Sequence, residues 1–268
     1  MQVYNRVIFL SLLSMFVFHP AGAQTTDSSS LRPTGASASF EKHVSPIQEI
    51  RKPFPIKQLV APTLMVMYGL GGLENNRIKK INAGFKNEIY TENPHRQSQL
   101  DNYLVFAPAA TVYGLNALGI KGKHNFRDRS MIYLMSNLIM CGTVFSVKKF
   151  SHEQRPDVSN YFSFPSGHTA ASFVGAEFLR QEYKDVSPWY GVAGYAMATT
   201  TAYLRMYNNK HWFSDVVAGA GIGIASTKLA YWLYPKIQHT MFKDKPLKTI
   251  AIPTFQHGSI GIGMVHTF

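Results

Sequence analysis

The stretch Phe164–Ala170, FPSGHTA, separates a polar segment from an apolar one and predicts where a helix begins. Pro165 restricts the approach of the chain, Ser166 is a good N-cap residue, and Gly167 permits a tight turn. A helix that begins there directs free N–H groups forward, so the turn can also bind an anion. A simple helix start explains these three residues equally well. It does not explain His168, because a cationic imidazole in a first turn is unfavourable without a negative group nearby.

The rest of the chain is organised around six apolar segments. Ala, Leu, Met and small residues dominate them, and alternation with a period of two is absent, so each is predicted to be a helix. The expected fold class is all-α, a six-helix bundle over residues 57–235 that is embedded in a membrane. Only the third segment is an uncharged run close to the ~20 residues that cross a bilayer, so an exported globular bundle is the alternative. The segments lie at about residues 58–73, 102–119, 131–147, 168–180, 189–206 and 213–233.

The two ends of the chain differ from this central part. Residues 1–23 place Arg6 before an apolar run that ends in Ala-Gly-Ala, which predicts a secretory signal cleaved before Gln24, with an uncleaved anchor as the alternative. Residues 24–56 are rich in Ser, Thr, Pro and Ala and are predicted to be a flexible linker. The C-terminal tail, residues 236–268, contains strand-like alternation to which we assign no function.

Composition restricts the class of partner. Lys and Arg outnumber Asp and Glu by 27 to 15, which gives a formal charge of +12. An acidic partner is therefore expected: nucleic acid, anionic lipid or a phosphorylated substrate. Cys141 is the single cysteine, which excludes an internal disulfide and most thiolate metal sites.

Charges between the apolar segments predict an orientation. The loop between the second and third segments is short and basic, and such loops stay in the cytoplasm. The third segment then leads outward and places residues 148–167 and 205–212 in the periplasm. If the start of the mature chain is exported, this orientation requires that the first segment does not cross the membrane. That segment is broken by Pro62 and several glycines, so we expect it to lie along the membrane interface. The basic residues of the loop are Lys121, Lys123, Arg127 and Arg129.

Two further polar clusters interrupt the apolar pattern. Lys148 and Arg155 follow the third segment and could hold phosphate oxygens, although cations after a helix often only complement its dipole. In the other cluster, His211 and Asp215 are four residues apart. On a helix, the carboxylate would accept from one imidazole nitrogen and leave the other free as a nucleophile. Such a pair is more often a surface pair, but Arg205 adds another cation close by.

In chain order, the clusters read Lys-x6-Arg-Pro, Pro-Ser-Gly-His and Arg-x5-His-x3-Asp. This pattern resembles the type 2 phosphatidic acid phosphatase (PAP2) superfamily over roughly residues 100–235. The resemblance implies that His211 attacks phosphorus, that Asp215 orients it, and that His168 acts as general acid and then as general base. It also implies a phosphate-binding set and chemistry without a metal or other cofactor. That set is Lys148, Arg155, Ser166, Gly167 and Arg205.

The resemblance further implies a substrate class and a location. We expect a phosphatase at the inner membrane, with its active site facing the periplasm, that removes a phosphate from an envelope lipid. Lipid A is slightly preferred over phosphatidylglycerol phosphate, undecaprenyl diphosphate and phosphatidic acid, and no nucleic acid partner is expected. The alternatives are a soluble periplasmic acid phosphatase and a catalytically silent protein that binds anionic lipid. Leu204 departs from the family, which often has Ser there, and the gap between Pro156 and Pro165 is short, which predicts a compact cover over the site.

Overall fold

A computed structural model describes residues 53–242 and the backbone of two strands beyond them, with side chains described up to residue 239. The predicted signal, residues 1–23, and nearly all of the predicted linker lie outside the described residues. The described part belongs to one compact unit, Val44–Phe268.

Eight α-helices form the described bundle, which confirms the all-α class. They are α1 Ile56–Glu74, α2 Asn76–Lys86, α3 Leu100–Leu104, α4 Ala107–Ala117, α5 Phe126–Ser151, α6 Gly167–Tyr183, α7 Pro188–Tyr207 and α8 Phe213–Phe242. A π-helical turn, Asn87–Thr91, follows α2.

The predicted number of helices, six, is too low for two physical reasons. The second apolar segment contains Pro108 within the first turn of α4, where a missing backbone N–H is tolerated, and the chain divides there into α3 and α4. The helix α2 has a mostly polar sequence, NRIKKINAGFK, and therefore gave no apolar signal. It begins at an N-cap, Asn75, whose side chain accepts hydrogen bonds from the N–H groups of Arg77 and Ile78.

The C-terminal tail contains a β-hairpin. Strand β1, Thr249–Gln256, pairs antiparallel with β2, Ser259–His266, and the register runs from Thr249 opposite His266 to Gln256 opposite Ser259. The strand-like alternation of the tail is thus matched by two strands. The predicted tail begins too early, because α8 continues to Phe242.

The helix α6 lies at the centre of the bundle and is almost entirely buried. It packs against α4, α5, α7 and α8. Phe178, which is fully buried, shows why this helix matters for stability, since burying a side chain of this size contributes ~1.5–3 kcal/mol. Around α6, the apolar clusters include Val112 of α4, Met140 and Val144 of α5, Ala198 of α7, and Ala220 and Ile222 of α8.

The first turn of α6 crosses the second and third turns of α8 at close range. A Cβ atom added at Gly219 of α8 would lie 2.5 Å from the carbonyl oxygen of Ser166, and one added at Gly223 would collide with the carbonyl oxygen of Ala170. The two helices can therefore approach this closely only with glycine at these positions. The crossing brings FPSGHTA next to the segment that contains Asp215, since the N–H of Ser166 donates to the carbonyl oxygen of Asp215 at 3.0 Å.

The helix α1 runs antiparallel along α8. At one end, the ring of Phe54 meets Trp232 edge-on, with 5.0 Å between centroids, and at the other end Gly72 lies against Ser214. If α8 spans a bilayer, this pairing would place α1 across the bilayer as well, which differs from the expectation that the first segment lies along the membrane interface.

Candidate active site

His211 and Asp215 form the centre of the site. His211 lies in the loop before α8, and Asp215 lies in its first turn, so the two are not on one helix as expected. The loop nevertheless brings Nδ1 of His211 to 3.4 Å from Oδ2 of Asp215, and both side chains are buried. This distance is long for a hydrogen bond, as is common in catalytic pairs without substrate. Because Nδ1 faces the carboxylate, Nε2 is the nitrogen that remains for chemistry.

Ser163 holds the carboxylate of Asp215 in place. Its hydroxyl donates to Oδ2 of Asp215 at 2.5 Å, and the backbone N–H of Trp212 donates to the same oxygen at 3.0 Å. Ser163 is fully buried. Two donors on one buried carboxylate oxygen restrict its rotation. This serine lies outside the three sequence motifs, and no motif spacing links it to Asp215.

Three cations surround the pair. Lys148 lies near the end of α5, and its Nζ donates to the carbonyl oxygens of residues 162 and 163 at 2.7 and 3.3 Å. Arg155 lies in the loop that follows α5, and Arg205 lies in the last turn of α7. The buried Nε atoms of both arginines have no hydrogen-bond partner among the described residues. Buried N–H donors of this kind need an acceptor, and phosphate oxygens would supply it.

The environment keeps His211 uncharged. Burial lowers the pKa of His211 well below its ordinary value, and the positive charges of Arg205, Lys148 and Arg155 lower it further. A base with a lowered pKa loses its proton at lower pH, so this environment favours the neutral imidazole. The three predicted phosphate-binding cations thus lie close enough to act on the predicted nucleophile.

The short helix α3 contributes two side chains to the site that the sequence analysis did not identify. Asp101 is buried, and its Oδ2 accepts a hydrogen bond from Nη1 of Arg205 at 2.5 Å. Asn102 places its Oδ1 3.2 Å from Nε2 of His168, the predicted general acid. These contacts fix the orientation of an arginine and a histidine that lie on two other helices.

The predicted N-cap at the start of α6 is in the expected place. The helix begins at Gly167 and Ser166 precedes it in an extended conformation. The hydroxyl of Ser166 does not cap a backbone N–H; it lies 2.9 Å from the hydroxyl of Thr169. His168 is in the first turn of α6, and it is half-buried beside Asn102. The turn therefore brings Ser166, Gly167 and His168 to the same end of the bundle as His211.

Three bonds hold the loop between α5 and α6 over the site. Lys210 pairs with Asp157 at 2.7 Å, the indole N–H of Trp212 donates to the carbonyl oxygen of Gln154 at 2.9 Å, and Lys86 Nζ donates to the carbonyl oxygen of Pro156 at 2.9 Å. Two of these bonds reach residues next to His211. The short gap between the first two motifs thus corresponds to a cover that is fastened to the loop before α8.

Replacing Ser163 with alanine should lower kcat by about 10- to 100-fold and leave KM nearly unchanged. A hydrogen bond to a charged group is worth about 1.5–3 kcal/mol, and its loss frees Asp215 to turn away from His211. The matched control is Ser159→Ala, because that exposed hydroxyl also donates to a carboxylate, Oδ1 of Asp157, at 2.7 Å. Steady-state kinetics and melting temperatures of both variants test this. Equal activity of the two variants would contradict a positioning role for Ser163.

The fold and the site together define a helical-bundle protein with a cationic, histidine-containing site that suits a phosphate group. Residues 130–239 match the model of the PAP2 superfamily. The matched range contains all three motifs. It begins after α3 and α4, so Asp101 and Asn102 lie outside it.

Two curated proteins and a solved structure are also similar to parts of this chain. The chain is 32% identical over 164 residues to a lipid A 1-phosphatase of Porphyromonas gingivalis, covering 61% of this chain and 36% of the relative. It is 35% identical over 86 residues to a lipid A 4'-phosphatase of Bacteroides thetaiotaomicron, covering 32% of this chain and 37% of the relative. The chain thus spans little more than a third of the length of these curated relatives. The crystal structure of Aquifex aeolicus LpxE aligns with a TM-score of 0.42 at 24% identity, over 56% of this chain and 94% of that chain.

Proposed function

We propose that this protein is a phosphatase that works through a phosphohistidine intermediate. The observation that supports this most strongly is the setting of His211. It is buried and uncharged, its Nδ1 faces Asp215, and three cations act on it. A neutral imidazole oriented by a carboxylate is a competent nucleophile, and fixed cations stabilise the charge of a phosphoryl group in transfer.

The proposed reaction has two steps. In the first, Nε2 of His211 attacks phosphorus, the bond from phosphorus to the leaving oxygen breaks, and His168 donates its proton to that oxygen. Asp215 stabilises the positive charge that develops on the imidazole. In the second, His168 removes a proton from a water molecule that attacks the phosphohistidine, and the P–N bond breaks. Inorganic phosphate leaves and His211 returns to its neutral form.

The remaining site residues would bind the phosphoryl oxygens. The Nε atoms of Arg155 and Arg205 are buried donors without a hydrogen-bond partner in the described part of the chain, and the first turn of α6 supplies the Gly167 N–H at the positive end of a helix. Lys148 adds a point charge, and the Ser166 hydroxyl adds a donor. The guanidinium of Arg205 already pairs with the carboxylate of Asp101, so the orientation of the guanidinium is set before substrate binds. Preorganised donors of this kind usually supply the largest part of an enzyme's rate enhancement.

The proposed substrate is a phosphorylated lipid of the cell envelope, with lipid A preferred. Two matched relatives are named as lipid A phosphatases. Two described helices are long and apolar enough to cross a membrane, Phe126–Ser151 and Phe213–His239. Exposed apolar side chains also recur at helical spacing on one face of α1 and one face of α5, which suits contact with lipid. They are Ile56, Val60, Leu64 and Met67 on α1, and Leu134, Leu138 and Phe145 on α5.

A phosphate-release panel tests this proposal. Purified protein in detergent is given lipid A, phosphatidylglycerol phosphate, undecaprenyl diphosphate, phosphatidic acid and p-nitrophenyl phosphate, with and without a chelator. We expect the fastest turnover with lipid A and no loss of activity with the chelator. Turnover of the soluble ester alone, by protein released without detergent, would favour a soluble acid phosphatase. Lipid binding without any phosphate release would favour a silent lipid-binding protein.

Because α1 and α8 are antiparallel, the side of the membrane on which residue 57 lies determines the side on which His211 lies. Residue 57 and His211 lie at opposite ends of this helix pair. If the pair crosses a bilayer, an exported residue 57 would place His211 in the cytoplasm. We propose that the pair crosses the inner membrane with the site facing the periplasm, which places residue 57 on the cytoplasmic side.

Cysteine labelling in intact cells tests this orientation. Lys57→Cys and Lys210→Cys are made in a Cys141→Ser background, which removes the single native cysteine. A membrane-impermeant maleimide should label residue 210 in intact cells and residue 57 only after the cells are permeabilised. Labelling of both from outside would contradict the proposed crossing and would support an exported bundle beside the membrane.

A further inference from the structure

A second cavity lies at the end of the bundle opposite His211. Its volume is about 560 Å³, and it lies among the start of α1, the C-terminal end of α6 and the second half of α8. The helix α6 has its first turn in the candidate active site and its last residue, Tyr183, next to Lys184 of this cavity. The length of α6 separates the two sites by about 24 Å. Nothing in the proposed reaction uses this cavity.

The wall of the cavity is basic. Lys57, Lys123, Lys184 and Lys228 line it together with His124. Among the described residues, no Asp or Glu lines it. Burial lowers the pKa of Lys184, and the neighbouring charge of Lys123 lowers it further. Asp185, next in the chain, offsets part of this effect. Lys123 and Lys184 therefore lie close enough to repel one another, and an anion between them would relieve that repulsion.

Two buried carboxylates lie behind the wall, and other groups already engage them. Glu177 accepts from Arg180 at 2.6 Å and pairs with Lys228 at 3.0 Å. Glu182 is 2.7 Å from Nδ1 of His124 and accepts from the hydroxyl of Tyr231 at 2.6 Å. These bonds hold Lys228 and His124 against the protein. Lys57 and Lys184, both exposed, are thus the cations best placed to meet a ligand from outside.

Aromatic and apolar groups surround the lysines. Trp232 lines the cavity, its ring meets Phe54 edge-on, and Lys236 lies over it at 3.5 Å from the centroid. Ile56 also lines the cavity, and 68% of it is exposed. A tryptophan beside lysines at the end of an apolar helix bundle is typical of the level of lipid headgroups. The apolar rim would contribute nothing to the binding of a freely soluble anion.

We propose that this cavity binds the phosphate of an anionic phospholipid headgroup, at a site separate from the candidate active site. The lysines would hold the phosphodiester oxygens, and Trp232 and Ile56 would contact the adjoining glycerol and acyl groups. Basic pockets between helices at a membrane surface bind anionic headgroups in this way. A lipid bound there would brace α1 against α8 and the end of α6.

The test measures lipid binding by thermal shift and by native mass spectrometry. The full chain in a neutral detergent is titrated with phosphatidylglycerol, with phosphatidylcholine, or with inorganic phosphate. Phosphatidylglycerol is a phosphodiester, so the result does not depend on the proposed hydrolysis of monoesters. We expect phosphatidylglycerol to raise the melting temperature through mass action and to stay bound in the mass spectrum. Phosphatidylcholine and inorganic phosphate should do neither.

Paired charge variants locate the site. Lys57→Gln with Lys184→Gln should weaken phosphatidylglycerol binding roughly 30-fold, whereas Lys57→Arg with Lys184→Arg should restore it. Lys80→Gln with Lys149→Gln removes the same charge from exposed positions on other helices and should leave the affinity unchanged. Melting temperatures without lipid show whether each variant is folded. Equal affinity in the two Gln pairs, an equal shift with phosphatidylcholine, or an equal shift with inorganic phosphate would each overturn the proposal.

Discussion

Replacing His211 with glutamine should lower kcat by a factor of roughly 10⁴ or more, the largest loss expected from any single change. Glutamine offers no nucleophilic nitrogen, so the phosphoryl group has no acceptor in the first step. The cations around it would still bind phosphate, and KM should change much less than kcat. Phosphate release from lipid A, followed for parent and variant at equal concentration, measures the effect.

The covalent intermediate provides a direct check. After an acid-free quench of a reaction with labelled p-nitrophenyl phosphate, the parent should carry label on His211 and His211→Gln should carry none. In His168→Gln, label should accumulate, because nitrophenolate leaves without a proton while hydrolysis of the phosphohistidine lacks its base. His152→Asn is the control, since this histidine is exposed and has a left-handed backbone, with φ 45°, that asparagine accepts. Label on His211→Gln would refute the assigned nucleophile.

Replacing Asp215 with asparagine should lower kcat by about 10³- to 10⁴-fold with little change in KM. The amide carries no charge to stabilise the imidazolium, and it can present its N–H₂ group to Nδ1 and impose the wrong tautomer. The amide also lacks the negative charge of the carboxylate that accepts the 2.5 Å hydrogen bond from the Ser163 hydroxyl. Separate values of kcat and KM, with the melting temperature as a measure of folding, check this result.

The matched control for this change is Asp157→Asn. Asp157 lies in the same region, and it pairs with Lys210 at 2.7 Å next to His211, but it does not contact the imidazole in the described structure. Burial would raise the pKa of Asp157, but the hydrogen bonds from Lys210 and Ser159 and the Lys210 charge together lower it to about 2, so its carboxylate is charged at neutral pH. Its loss should cost less than tenfold in kcat. An Asp215→Asn variant that retained a tenth of parental activity would contradict the orienting role.

The helices were largely predictable because the physics that forms them is local. Apolar residues without strand alternation indicated α6 at 168–180, and the helix is Gly167–Tyr183. The start of α6 followed from Pro, Ser and Gly, whose backbone preferences act over a few residues. The helix α2 was missed because its support is not local. Its buried Asn82 accepts from the N–H of Ser214 at 3.0 Å and donates to the Ser214 hydroxyl at 2.8 Å, a contact between residues 132 positions apart.

The residues of the candidate site likewise fall into those that local sequence signals and those that depend on distant contacts. The three motifs could be recognised from residue types and spacing, since each lies within a few turns of chain, and the resemblance supplied the proposed roles of nucleophile, carboxylate, acid and cations. Ser163 and Asp101 gave no such signal, because their partners are 52 and 104 residues away. The Ser163 hydroxyl and the Asp101 carboxylate can be recognised as site groups only in the structure, where the packed helices bring them to Asp215 and Arg205.

The stretch FPSGHTA shows which features follow from the sequence alone and which depend on the tertiary structure. From the sequence alone, a helix start and an anion in front of it were predicted there, because capping and charge act over one turn, and the resemblance placed the motif in a phosphate-binding pattern. Only the tertiary structure decided what the turn faces. The close crossing of α6 and α8 at Gly219 and Gly223 sets Ser166 against the backbone of Asp215, and helix packing is a property of distant residues that no local pattern encodes.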